Sequence, residues 1–227
     1  MSNWTGISSE LFAAFTAACC LVITLREANQ YPNYKKFTIY AASYIFLTIT
    51  GLDLFDIPPQ TKARLINNSD NFFTLIELSV YTKFFLPLFT NKQKQICILL
   101  SIVYLIFFTS FTIIANYHHH VLQTKILIYT IQSLIIITYC IFYYLNIFKD
   151  FPKLVLKKEP NFWITTGIFC MLLAMLPLSL AEKYLLNTYY TSWLALAIVY
   201  NTLYVLNFIT IIYSFFCAKK QEALKQR

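Results

Sequence analysis

Charge is scarce in this chain. Only 12% of its 227 residues are Asp, Glu, Lys or Arg, against roughly 25% in an ordinary soluble domain, and that deficit excludes a water-soluble globular protein. Glycine is nearly missing too, with three residues, and neither a glycine-rich phosphate loop nor a G-x-S-x-G nucleophile turn occurs. The three histidines are consecutive, His118, His119 and His120, so acid–base chemistry by a histidine inside an apolar stretch is excluded. Three neighbouring side chains do not converge on one metal from a regular helix or strand, and the tract reads as a solvated turn. The six cysteines (Cys19, Cys20, Cys97, Cys140, Cys170 and Cys217) show no C-x-x-C spacing. They read as small packing residues, with no disulfide framework and no thiolate metal site. No cofactor is expected, and no catalytic motif marks the chain as an enzyme.

What the chain has instead is apolar residues, 58% of the total with 18% aromatic, and a mean hydropathy of +0.58. They fall into seven stretches, 7–25, 36–55, 72–89, 95–115, 122–148, 162–181 and 191–216. Each is near the ~20 residues that cross a hydrocarbon core about 30 Å thick. Backbone amides at that depth must be bonded within the segment, so the stretches should be helices. A membrane β-barrel would alternate apolar and polar residues, and residues 96–114 do not. The expected fold is all-α, a polytopic bundle of seven transmembrane helices over residues 1–217 with a short basic tail over 218–227. Residues 1–10 hold no Lys or Arg and so lack the basic region of a cleavable signal peptide, which implies that the first span is retained.

Cations set the orientation. One group of flanks holds Arg26, Lys35, Lys36, Lys92, Lys94, Lys149, Lys153, Lys157, Lys158, Lys219, Lys220, Lys225 and Arg227; the other holds only Lys62, Arg64, Lys125 and Lys183. By the positive-inside rule the first group is cytoplasmic, which puts the N-terminus outside and the C-terminus inside. The net charge of +8 then needs no nucleic acid, because basic flanks meet anionic lipid headgroups at about 1 kcal/mol each. Lys83 lies within the third stretch, and its stem is long enough to snorkel toward the inner headgroups.

Acids in or beside apolar spans point to function, because a charge there is costly and faces a cavity or a partner. Four qualify, Glu10, Asp53, Glu77 and Glu182, and with this orientation all fall toward the outer leaflet. Glu77 is the deepest and shares a helical face with Thr74, Tyr81 and Phe84. Such a stripe suits a cationic or hydroxylated ligand; the plainer alternative is a carboxyl that bonds a neighbouring helix. For Glu10, Asp53 and Glu182 interfacial solvation is the simpler reading. Span seven carries Tyr200, Asn201, Tyr204 and Asn207 on one sector, residues that bond across helices or touch a ligand. It has no lysine, so retinal has no attachment point there. Ser9, Ala13 and Ala17, with Ala14 and Ala18, form a small-residue pattern that permits close helix approach. Pro87 and Pro177 are expected to bend spans three and six.

The segments Asn71-Phe72-Phe73-Thr74-Leu75-Ile76-Glu77, Pro160-Asn161-Phe162-Trp163-Ile164 and Tyr200-Asn201-Thr202-Leu203-Tyr204 with Asn207 together resemble the small seven-helix membrane proteins of Bacteroidota. Those proteins accompany sensor histidine kinases or are similar to their membrane input regions. The resemblance covers most of the chain and implies the topology, with Glu77, Trp163 and Asn201 at family-typical positions; where related span-seven patterns carry a second Asn, this chain has Tyr204. It also implies the bacterial inner (plasma) membrane as the location. The expectation is a sensory or signal-coupling protein that takes a small or lipidic ligand from the outer side and acts through a membrane or cytoplasmic partner. Its ligand contacts would come from Glu77, Tyr81, Thr74, Glu10, Asp53, Glu182, Asn201 and Tyr204, and membrane lipids would surround it. A transporter or channel component, a lipid-modifying enzyme and an assembly subunit are the alternatives.

Overall fold

The computed structural model describes the backbone of residues 2–27, 34–51, 59–118, 121–149, 156, 159–188 and 190–225. Side chains are described over 8–27, 34–50, 69–113, 126–149, 156, 159–181 and 195–221. Asp53, His119 and His120 therefore lie outside the described residues, as do the side chains of His118, Glu182, Lys62, Arg64, Lys125 and Lys183.

Seven long helices follow one another: α1 (Ser2–Arg26), α2 (Lys35–Gly51), α3 (Pro59–Phe85), α4 (Asn91–His118), α5 (Val121–Lys149), α6 (Pro160–Thr188) and α7 (Tyr190–Lys225). Among the described residues no strand occurs. Five of the helices, α1, α4, α5, α6 and α7, are long and apolar enough to cross a membrane. Their outward faces carry side chains such as Phe15, Ile106, Leu145, Leu180 and Phe216, apolar surface that water would not tolerate and lipid does. The chain is an integral membrane protein by these features.

Packing closes six helices into a ring. α1 meets α2 and α7, α2 meets α3, α3 meets α5, α5 meets α6, and α6 meets α7 over the longest interface; α4 leans on α5 from outside. The direct contact of α3 with α5 matters most here, since it sets Gln132 of α5 against Glu77 of α3. On α1 the small residues Ala13 and Ala17 are buried within this chain. α1 and α7 are also tied at one end, where Lys219 Nζ lies 3.7 Å from Glu27 Oε1.

One boundary differs from expectation. Pro87 does not bend a continuing helix: α3 ends at Phe85, and Pro87 sits in the 3-10 turn Leu86–Leu88. The missing amide of a proline favours termination here because a second helix is capped just beyond it. Thr90 opens α4, its amide donating to Gln93 Oε1 at 3.0 Å, half of a capping box. Gln93 and Asn146 of α5 then exchange amide hydrogen bonds at 2.9 and 3.1 Å, and the Asn146 amide reaches Leu88 O at 3.4 Å. Lys36 Nζ donates to the Lys83 carbonyl at 2.7 Å, meeting one of the carbonyls that the end of α3 leaves over, while the Lys83 side chain is exposed. α6 by contrast runs on through Pro177. At the other end of the chain α7 stays helical through Lys225, so the basic residues Lys219 and Lys220 of the short tail continue its helix.

α6 and α7 approach closely at Gly167. A methyl group there would lie 2.8 Å from the Thr210 Cβ and closer still to its hydroxyl. Gly167→Ala should therefore separate the two helices and cost about 1–3 kcal/mol, the usual penalty of overpacking. Thermal unfolding in detergent micelles would show a lowered midpoint that Thr210→Gly restores in the double variant; an unchanged midpoint for Gly167→Ala would contradict the contact.

Candidate functional site

Helical spacing puts Thr74, Glu77, Tyr81 and Phe84 on one face of α3, and all four are buried. Glu77 is fully buried. Leaving a carboxyl at such a place without partners costs several kcal/mol, and the neighbouring helices supply them. From α5, Gln132 Nε2 donates to Glu77 Oε2 at 2.9 Å. From α2, the Tyr40 hydroxyl donates to Glu77 Oε1 at 3.4 Å. From α7, Asn207 Nδ2 donates to the Tyr40 hydroxyl at 3.2 Å and to the Tyr81 hydroxyl at 3.1 Å. α5 and α2 thus meet the acid of α3 directly, and α7 meets it through the two tyrosines. Gln132 Oε1 and Asn207 Oδ1 have no hydrogen-bond partner among the described residues.

A cavity of about 230 Å³ opens above this network, and Glu77 is part of its wall. Further along α3 it is lined by Thr74, Asn71 and Asp70; Tyr200 and Tyr204 reach it from α7, and Tyr129 from α5. Met175 and Ser179 of α6 flank Pro177 and line the wall opposite. The cavity lies toward the end where α2 and α6 finish and α5 and α7 begin. Since a 150 Å³ apolar cavity holds benzene, 230 Å³ suits a ligand of roughly nine non-hydrogen atoms.

Aromatic rings make much of its wall. Phe73 lines the cavity, stacks on Tyr40 with centroids 5.7 Å apart and meets Tyr204 edge-on at 6.0 Å. Tyr44 lies 4.7 Å from Tyr204. Most hydroxyls around the space are already used: Thr74 Oγ1 donates to Asp70 O at 2.7 Å, Ser179 Oγ to Leu176 O at 2.9 Å, and the Tyr129 hydroxyl to Met175 Sδ at 2.9 Å.

Of the residues singled out from the sequence, Glu77, Thr74 and Tyr204 line the cavity, and Tyr81 joins the network beneath it. Asn201 stands to one side. Its Oδ1 accepts from the Tyr44 hydroxyl at 3.3 Å and its Nδ2 donates to Ser9 Oγ at 3.2 Å, so it staples α7 to α2 and α1. Glu10 follows Ser9 on α1 and is not among the described lining residues. Tyr40, Gln132, Tyr129 and Asp70 are additions. The signal that could have found Gln132 is an amide amid Ile131, Leu134 and Ile135, and for Asp70 it is a position seven before Glu77 on the same face. About 10 Å of helical rise separates those two acids, too far for them to act as a proton-sharing pair.

Compared with known proteins, the chain matches no family model, no curated protein and no solved structure. The site must be read from its own chemistry. Among the described residues no group of three or more metal-ligating side chains occurs. What remains is an aromatic cavity with a carboxyl in its wall and a hydrogen-bonded support behind that carboxyl.

Because Gln132 donates to Glu77 directly, removing either should expose the other's unmet need. Gln132→Leu and Glu77→Ala are expected to be non-additive, with a coupling of about 1–2 kcal/mol. Unfolding of the two single variants and the double variant in detergent measures it, and additive losses would show that the pair does not interact.

Proposed function

We propose that this chain crosses the membrane seven times, N-terminus outside and C-terminus cytoplasmic, takes a small ligand from the outer side into the Glu77 cavity, and passes its occupancy to a partner. The observation that carries the reading is the fully buried Glu77 at the wall of a ligand-sized cavity. The cation count supports the orientation, because the cavity then faces the side poor in Lys and Arg. The resemblance to membrane input regions of sensor kinases supports a signalling partner.

α7 supplies the means of coupling. It is one helix of 36 residues, about 54 Å long, with Tyr200 and Tyr204 at the cavity, Asn207 in the network and Lys219 near the far end. A ligand that moves Tyr204 moves a rod whose other end stands at the basic flank. A ligand with different affinity for two positions of α7 shifts their populations, and a partner that touches the inner end reads the shift. A bacterial inner membrane is the setting that this reading implies.

Pro177 favours a second reading. It interrupts the hydrogen bonding of α6 between two lining residues, and transporters place broken helices around their substrate sites. In that case solute would enter proteoliposomes, and Glu77→Gln would stop it.

Native mass spectrometry of protein released from its own membranes tests the binding reading. The wild type should carry a small-molecule adduct that disappears in Ser179→Trp, which fills the cavity, at equal folded yield. An adduct retained by Ser179→Trp, or a wild type without one, contradicts it.

A further inference from the structure

We infer that the ligand of the Glu77 cavity is a small organic cation, an ammonium group on a compact apolar or aromatic body; the inference rests on the cavity being a binding site, as proposed above. Charge narrows the class first. Glu77 and, further along α3, Asp70 line the space, and no Lys, Arg or His does so among the described residues. A carboxylate or phosphate ligand would face those acids with no cation from the described lining residues, while an ammonium brings the opposite charge.

The walls narrow it further. Phe73, Tyr129, Tyr200 and Tyr204 all line the cavity, and an ammonium within ~6 Å of aromatic faces is held by their quadrupoles. Neutral polyols are the serious competitor, since they too pack on rings. A polyol hydroxyl wants donors as well as acceptors, and Thr74, Ser179 and Tyr129 already donate to Asp70 O, Leu176 O and Met175 Sδ, so these three offer it no donor. Glu77 is different. Its oxygens take one hydrogen bond each from Gln132 and Tyr40, and a carboxylate offers about four lone-pair sites, so it has acceptor capacity left for an N–H donor. Size agrees: roughly nine non-hydrogen atoms fit, which is the size of a phenylethylamine.

Detergent-purified wild type titrated with choline, 2-phenylethylamine, 3-phenylpropanol and phenylacetate, followed by calorimetry and by thermal shift, tests the class. At least one of the two ammonium compounds should bind, with the alcohol and the carboxylate weaker or silent. Glu77→Gln, which keeps the side chain's shape, should weaken the ammonium compound at least ~30-fold, as expected for loss of one partner of a buried charge pair. Glu77→Asp should recover part of that loss. Tyr204→Leu should weaken it by ~3- to 10-fold. Binding of the alcohol or the carboxylate in preference to both ammonium compounds, or ammonium binding indifferent to Glu77→Gln, overturns the cation class and leaves the cavity reading standing. Silence from all four probes overturns both.

Discussion

A carboxyl group buried among packed helices has to be met by donors from whatever surrounds it, and the centre of this structure is organised by that demand. Glu77 is met by Gln132 of α5 and Tyr40 of α2, and Tyr40 is in turn held by Asn207 of α7. These bonds fix how α2, α3, α5 and α7 stand relative to one another, because each donor reaches its acceptor from only one rotation of its helix. The interface of α6 with α7 is the longest and is close-packed at Gly167. Such contacts hold helices together but specify rotation weakly, whereas polar contacts in an apolar setting specify it well.

The same demand explains why binding and conformational change would be linked. Tyr204, on the cavity wall, lies one turn before Asn207 on α7, and Asn207 bonds both tyrosines that flank Glu77. A ligand at the cavity therefore acts on a helix that already has a stake in the carboxyl's hydrogen bonds. α4 is free of this arrangement. It leans on the ring through α5 and a short stretch of α3 and presents an apolar face with Ile98, Leu99, Ile102 and Ile106 exposed, as a lipid-facing helix does.

How much of this could be read from the chain alone depended on distance along it. Thr74, Glu77 and Tyr81 share a face by helical arithmetic, so their joint burial followed from spacing. The partners of Glu77 sit 37 and 55 residues away, and nothing local pairs Tyr40 or Gln132 with an acid on α3; that pairing depends on α3 packing directly against α5 while α4 is pushed outside. Helix boundaries failed where hydropathy and hydrogen bonding part company. α3 begins at Pro59 in a polar stretch that no hydropathy window would include, and it stops before Pro87 because Thr90 and Gln93 cap the next helix. The four acids that orientation gathered on one side resolve unequally: Glu77 lines the cavity, Glu10 is not among its described lining residues, Asp53 is outside the described residues, and Glu182 is described only as part of the α6 backbone.

The central claim is that the space beside Glu77 is reached from outside the cell. Thr74→Cys, one turn before Glu77 on the same face, tests it when intact cells and inverted vesicles are treated with a membrane-impermeant trimethylammonium thiosulfonate. The background must have the six native cysteines replaced. Modification is expected from the outer side only, and it should be lost in the presence of Ser179→Trp. Modification from the cytoplasmic side, or from neither, would contradict that claim.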